Sequence, residues 1–291
     1  MLLQEKMGKQ KFSPSEQIVV NFILKQQELI KNYSTTMIAA DTYTSPSILI
    51  RISKKLGFSG YNEFKKVFLD EIAYLKANFQ GIDANRPFNS MDSIMNIANK
   101  ITKIKIESLK DTLFLIEHDS LQEAIGIMRR SQTIKVFAIS NLSFQAEEFV
   151  FKIRHIGKKA ETYSISNTMY QEATMTSSND CAICISYSGE SGELLSVTKY
   201  LLTNHVPVIA ITSIGENSLA KLADVSLRTT TREKSYSKIA AFTSLESVAL
   251  ILDILYSCYF KIEYQKHYQY KVNLAQSTES RQIDNQIIQE E

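Results

Sequence analysis

The stretch DCAICISYSGESGE, residues 180–193, decides how the larger part of this chain folds. Its first half is continuously apolar and short, the pattern of a strand buried on both faces of a sheet. Its second half, Ser186-Tyr187-Ser188-Gly189-Glu190-Ser191-Gly192-Glu193, is crowded with hydroxyls and small residues. A helical pattern follows, with Leu194, Val197, Thr198 and Leu201 on one face. Such a loop between strand and helix suits a phosphate. Ser186, Ser188 and Ser191 each have a hydroxyl hydrogen to donate, Gly189 lets the backbone approach closely, and the first N–H groups of the helix point at the anion.

Working outward, the same short apolar runs recur at TIKVFAIS (133–140), AETYSI (160–165), VPVIAIT (206–212) and DVSLRT (224–229). Helical patterns lie between them, one carried by Phe149, Val150, Ile153 and Ile156, and a long apolar helix is expected over about 239–260. Apolar strands alternating with helices predict an α/β domain, a parallel sheet covered on both faces. In such sheets a ligand binds at the carboxyl ends of the strands, where the 186–191 loop sits. Cys181 and Cys184 fall inside one run. Residues i and i+3 of a strand point to opposite faces, so the pair reads as buried packing and not as a redox or zinc motif. Cys258 and the four histidines are scattered, and no metal site is expected.

Before residue 78 the period is helical. Ser13-Pro14-Ser15-Glu16 is a capping box with proline in the first turn, and Ile18, Val19, Phe22 and Ile23 give an apolar face. A short helix fits Thr35–Ala40, and a third begins at Ser45-Pro46, with Ser45 as cap, and ends at Leu56 before Gly57. A fourth starts near Gly60, with Tyr61, Phe64, Phe68, Ile72 and Leu75 inside. On the third helix Leu49, Ile52 and Leu56 share the inner face, while Ser47, Arg51, Lys54 and Lys55 cluster on the other. Ile48 and Ile50 have no evident place. A helix with a small polar start and basic side chains along its open face suits the major groove of DNA. Arg51 is the candidate for a base edge, and Ser45 and Ser47 for phosphate oxygens. Residues 78–90 read as a linker. Ile94, Ile97, Ala98, Ile101 and Ile104 mark an amphipathic helix, and Ser120-Leu121-Gln122-Glu123 a further capping box opening a helix that ends near Arg130.

The 291 residues suggest about two domains, and a 44% apolar, 22% charged composition is that of a globular chain. The net charge of +2 is uneven: residues 1–77 carry +4 and the remainder −2, a basic head on a slightly acidic body. No apolar window reaches membrane-spanning length, and the first residues lack the pattern of a secretory signal, so a cytoplasmic location without membrane contact is expected.

Two stretches carry a resemblance. Ser45 through Tyr61, with Ser45, Arg51, Lys54, Lys55, Leu56, Gly57 and Phe58 in place, resembles the recognition helix and exit of RpiR-type phosphosugar-responsive regulators. The loop Ser186-Tyr187-Ser188-Gly189-Glu190-Ser191 looks like the Ser-x-Ser-Gly-x-Ser/Thr signature of sugar-isomerase (SIS) domains. There are departures. Tyr43 stands where the family has a turn glycine, and Thr44 where it has a hydrophobic residue. In the turn 138–143 both glycines of the usual Gly-x-Gly-x-Ser are replaced, and Leu142 occupies the serine position.

The resemblance implies an all-α helix-turn-helix domain over 1–77, a linker and connecting helix over 78–104, a flavodoxin-like α/β SIS domain over 105–270, and a frayed polar tail over 271–291. The expected function is a DNA-binding regulator of sugar metabolism. Ser45, Ser47, Arg51, Lys54 and Lys55 would contact double-stranded operator DNA, and Ser140, Asn141, Ser186, Ser188, Gly189 and Ser191 would hold a sugar phosphate. It would act as a homodimer or higher homo-oligomer, without cofactor or metal. The alternatives are a phosphosugar isomerase or lyase with a helical accessory domain, and an interaction module whose pocket is vestigial. Carbonyl migration needs a base against a C–H bond. Glu172, Glu193, Glu246 and His155 are the candidates, none in a recognisable catalytic pattern, so no catalytic residue is expected.

Overall fold

A computed structural model describes residues 3–78, 82–163, 168–215 and 217–278. The chain divides into two compact units. One comprises Met1–Leu115, Ser213–Lys221 and Arg228–Ser247; the other comprises Ile116–Thr212, Leu222–Leu227 and Val248–Glu291.

The first unit opens with α1 (Leu3–Lys9), α2 (Pro14–Gln26), a 3-10 turn (Gln27–Asn32), α3 (Thr35–Asp41), α4 (Pro46–Lys55) and α5 (Tyr61–Asn78). The capping box forms as the sequence predicts: the Ser13 hydroxyl accepts the Glu16 N–H, and the Glu16 carboxylate accepts the Ser13 N–H. Val19, Val20 and Ile23 of α2 pack with Leu49, Ile52 and Leu56 of α4 and with Phe64 and Phe68 of α5. Ile48 joins this core at 6% exposure. The side chain of Leu75, the last of the expected α5 stripe, lies outside the described residues.

Both α3 and α4 end in the same backbone device. Beyond α4, the Phe58 N–H reaches the Ser53 carbonyl and the Gly57 N–H the Lys54 carbonyl, with Gly57 at φ 94°. Beyond α3, Thr44 and Tyr43 donate to Ala39 and Ala40, and Tyr43 takes the glycine role at φ 54°. The tyrosine thus adopts the left-handed conformation expected of the glycine it replaces, with its side chain 97% exposed. A residue with a Cβ there costs roughly 1–2 kcal/mol, against roughly 0.4–1 kcal/mol for the extra freedom glycine brings to the unfolded chain. Tyr43→Gly should therefore raise stability by up to about 1.6 kcal/mol. A denaturant midpoint that falls instead would show that the ring makes contacts outweighing the strain.

In the same unit, α6 (Ile94–Leu115) departs from the expected stripe. Ile104 is buried, but Ile94 is 85% exposed, Ala98 is exposed, and Ile97 and Ile101 are half-buried. The buried face is polar: Ser108, Asp111 and Thr112. Its partner is the irregular segment 230–243. Arg232 reaches Asp111 at 2.5 Å and Glu107 at 2.8 Å, and the Ser108 hydroxyl donates to the Thr243 carbonyl. Asn85 accepts the Ile239 and Lys234 N–H groups on its backbone and side-chain oxygens and donates to the Arg232 carbonyl. Glu233 accepts from Thr243 N–H and hydroxyl and from Ser244 N–H and hydroxyl, and pairs with Lys238 at 3.0 Å. Burial pushes its carboxyl up, but the bonds from Ser244, Thr243 and Lys238 outweigh burial and hold it below the usual range. This carboxylate fixes the start of α12 (Ser244–Ile262), so the apolar residues 239–243 stay outside the helix predicted to begin at 239.

The second unit holds the sheet. The elements are α7 (His118–Arg130), β1 (Thr133–Ala138), α8 (Leu142–Arg154), β2 (Lys159–Tyr163), α9 (Thr168–Thr174), β3 (Cys181–Ser186), α10 (Gly192–Thr203) and β4 (Val208–Ser213). Then come β5 (Val225–Thr229), whose last two residues count with the first unit, and α13 (Tyr264–Thr278); α11 (Ser218–Leu222) belongs to the first unit up to Lys221, and α12 passes into the second after Ser247. The strand order is β2-β1-β3-β4-β5, with β1 parallel to β2 and β3, and β3 parallel to β4. This is the flavodoxin-like order. Strands β1, β3 and β4 are buried almost throughout, whereas β5 alternates, as central and edge strands should. Residues 164–165 of the expected AETYSI strand and the expected tail from 279 onward lie outside the described residues; 271–278 continue α13. Helix α7 starts two residues before Ser120, with Glu117 at its N-cap, so the expected capping box at Ser120 is not one.

The two strand cysteines are buried, as expected. Cys181 contacts the Ser131 hydroxyl after α7 and Cys184 the Thr198 hydroxyl of α10. Burial pushes their thiols up to about 11 and about 12. They are inert packing groups.

Candidate functional site

Two sites emerge, one in each unit. In the first, the inner face of α4 (Ile48, Leu49, Ile52, Ser53, Leu56) is anchored in the helical core, which leaves Ser47, Ile50, Arg51, Lys54 and Lys55 exposed. Ser45 occupies the N-cap position but makes no capping bond; its hydroxyl lies 2.8 Å from that of Ser47. The expected cap is thus a pair of linked hydroxyls at the open end of the helix. Arg51 and Lys54 project without an inward partner among the described residues. Lys55 differs: its ammonium meets the Glu16 carboxylate at 2.6 Å and lies 5.9 Å above the Phe12 ring. Glu16 is 2% exposed. Burial pushes its carboxyl up, but Lys55 and Ser13 outweigh burial and hold it below the ordinary value. One acid therefore caps α2 and moors the end of α4, with Lys6 donating to the Leu56 carbonyl beside it at 2.7 Å. Sequence reasoning missed this mooring, because Glu16 and Lys55 lie 39 residues apart. It also left Ile50 unplaced; at 47% exposure beside Arg51, this is an apolar side chain able to meet a thymine methyl.

In the second unit, β1 and β3 are neighbours from which the chain turns to opposite sides of the sheet, the switch point where open α/β sheets bind ligands. Ala138 pairs with Ile185, so the 139–143 turn and the 186–191 loop leave the same carboxyl edge. Ser186, 4% exposed, ends β3; its hydroxyl and its carbonyl both receive the Gly189 N–H at 3.2 Å. Gly189 holds φ 67°, the conformation for which a residue without Cβ is favoured. The Ser188 hydroxyl accepts the Glu190 N–H at 3.2 Å. Hydroxyls used as acceptors keep their hydrogens to donate, so the loop orients Ser186 and Ser188 as donors. Ser191 is the N-cap of α10 and makes no side-chain capping bond, so its hydroxyl does not compete for the amides of the first turn. Thr212, in register with Ser186 on β4, is fully buried with its hydroxyl unpartnered. A hydroxyl closing the run VPVIAIT was the signal for it.

The opposite wall is altered as the sequence indicates. Ser140 sits at φ 58°, the conformation of the glycine it replaces, and Leu142 is turned inward at 7% exposure. Ser140 and Asn141 are exposed, and the Ser143 hydroxyl donates to the Ser140 carbonyl at 2.8 Å.

The structure does not bring the candidate bases together. His155 caps the far end of α8, its Nδ1 2.6 Å from the Phe151 carbonyl. Glu246 pairs with Lys105, Glu193 lies in the first turn of α10, and Glu172 lies on α9. Among the described residues no cluster of three or more His, Cys, Asp or Glu side chains is placed to hold a metal, and no helix is long and apolar enough to cross a membrane.

Comparison with known proteins agrees with both halves. Residues 1–74 match the helix-turn-helix domain of the rpiR family, and residues 127–256 match the SIS domain. An uncharacterized HTH-type transcriptional regulator of Haemophilus influenzae is 24% identical over 85% of this chain and 85% of its own length. One from Clostridium perfringens is 26% identical over 85% and 87%. Among solved structures, the Vibrio vulnificus NanR protein complexed with ManNAc-6P superposes with a TM-score of 0.59 at 20% identity, covering 96% of this chain and 100% of that one. The sugar isomerase domain of an RpiR transcription factor from Sphaerobacter thermophilus gives 0.56 at 15% identity, over 62% and 98%. With an rpiR-type head, a SIS body and relatives matched along most of their length, the chain belongs to the RpiR family of helix-turn-helix transcriptional regulators.

Proposed function

We propose that this regulator binds an operator as a homodimer and that a sugar phosphate held by its SIS domain sets its affinity for that DNA. The observation that carries the reading is the 186–191 loop: donor hydroxyls and a left-handed glycine at the switch point between β1 and β3, opening onto the start of α10. The sugar phosphate in the NanR neighbour supports the ligand class. Ser186, Ser188, Gly189 and Ser191 hold the phosphate, and Ser140 and Asn141 face the sugar from the other wall. On the head, Arg51 reads a base edge, Ser45, Ser47 and Lys54 engage phosphates, and Lys55 divides its charge between DNA and Glu16. Two heads meet half-sites about 34 Å apart or a multiple of that. The chain regulates without turnover, in the cytoplasm with the DNA it binds.

Thermal unfolding of the full chain against a panel of sugar phosphates tests the ligand. A true effector at 100 times its Kd adds roughly 2.7 kcal/mol, and its unphosphorylated sugar adds nothing. A panel in which nothing stabilises the chain contradicts the reading. For the head, Arg51→Ala should weaken operator binding by about 1–3 kcal/mol and relax preference at one base position, whereas Lys54→Ala should flatten the salt dependence by about one ion. Unchanged affinity and base preference would remove Arg51 from the interface.

A further inference from the structure

We infer that the outer face of α8 is the surface through which the SIS domains of two copies pair about a twofold axis. The inner face of this helix, Leu142, Ala146, Phe149, Val150 and Ile153, is buried under the sheet. The outer face mixes charged side chains with two large aromatics, which a purely solvated helix would not carry. Phe144 is 67% exposed and Phe151 61% exposed, seven residues and therefore two turns apart on one line. Large aromatics left open in one row mark an interaction surface more often than a solvent face.

Charge identifies the occupant. Along that line the acids come first, Glu147 and Glu148, and the base comes last, Arg154. Lys152 is already held by Glu148 at 2.7 Å and by Asp253 of α12 at 2.5 Å. Glu147 and Arg154 are exposed, with no ion pair among the described residues. A strip acidic at one end and basic at the other is complementary to itself when turned end over end. With the twofold axis close to Phe151, Glu147 of each copy lies opposite Arg154 of the other and the two Phe151 rings meet at the centre. Phe144 then reaches the far end of the opposing helix, where Tyr270 stands 48% exposed against Gly157. Each contact is made twice, which a lone helix face does not offer an unrelated partner.

Sedimentation velocity of the full chain at micromolar concentration tests this. The wild type is expected to be a dimer. Phe151→Asp should weaken association by about 30-fold or more, as loss of a central aromatic does. Glu147→Arg and Arg154→Glu alone should each weaken it by about tenfold, since each places like charges together twice, and the double swap should restore wild-type association. These positions are exposed, and circular dichroism of each variant checks the fold. The inference rests on the homodimer proposed above, and the outcomes separate the two. A monomeric wild type overturns both. A wild-type dimer that none of the three single variants weakens, or that the double swap fails to restore, overturns this surface alone.

Discussion

Replacing Arg232 with methionine is expected to cost about 3–5 kcal/mol of stability, read as a fall in the urea midpoint. The guanidinium is 4% exposed and its partner Asp111 carboxylate 5%. Remove the guanidinium and, among the described residues, Asp111 keeps only the Thr230 hydroxyl at 3.3 Å, in a place nearly closed to water. That uncompensated charge carries the penalty, more than any lost attraction. The double change Arg232→Met with Asp111→Leu should therefore recover much of the loss, because two apolar side chains of similar size leave no fully buried charge behind, and the remaining Glu107 carboxylate is 23% exposed to water. A single-variant loss below about 1 kcal/mol would mean the site is wet and the pair behaves like one on the surface.

The second large effect concerns the ligand. In Ser188→Ala with Ser191→Ala, the roughly 2.7 kcal/mol added by a saturating sugar phosphate should vanish, while the unliganded melting temperature moves little. Ser191 makes no capping bond to lose, and the Ser188 hydroxyl has one exposed bond to the Glu190 N–H. Both are spent on the ligand more than on the fold. If the double variant kept the full ligand-induced rise, the loop would not be the phosphate site. If it unfolded at rest, the loop would be structural.

What the sequence made legible was local. The Ser13 box, the exit at Gly57, the buried runs and the two buried strand cysteines follow from periodicity and from bonds within one turn. The loop at 186–191 was legible because strand, hydroxyls, glycine and helix lie side by side in the chain. What stayed hidden depends on partners far away in sequence. The residues at 239–243 continue an apolar pattern, yet Glu233 takes the amides of Thr243 and Ser244 and starts α12 there. The apolar stripe of α6 suggested a hydrophobic seat, whereas Ser108, Asp111 and Thr112 find theirs against Thr243, Arg232 and Ser247. The Ser-x-x-Glu at 120–123 satisfies the box pattern but sits inside a helix begun at His118. Lys55 looked like its neighbours Arg51 and Lys54 until Glu16 was seen beside it.

The most direct measurement is the affinity of the full chain for its operator, by fluorescence anisotropy at fixed salt, with and without the sugar phosphate that stabilises it. Coupled sites must shift each other's binding, so a change of about fivefold or more is expected, absent in Ser188→Ala with Ser191→Ala. Superimposable curves with and without a saturating sugar phosphate would contradict it.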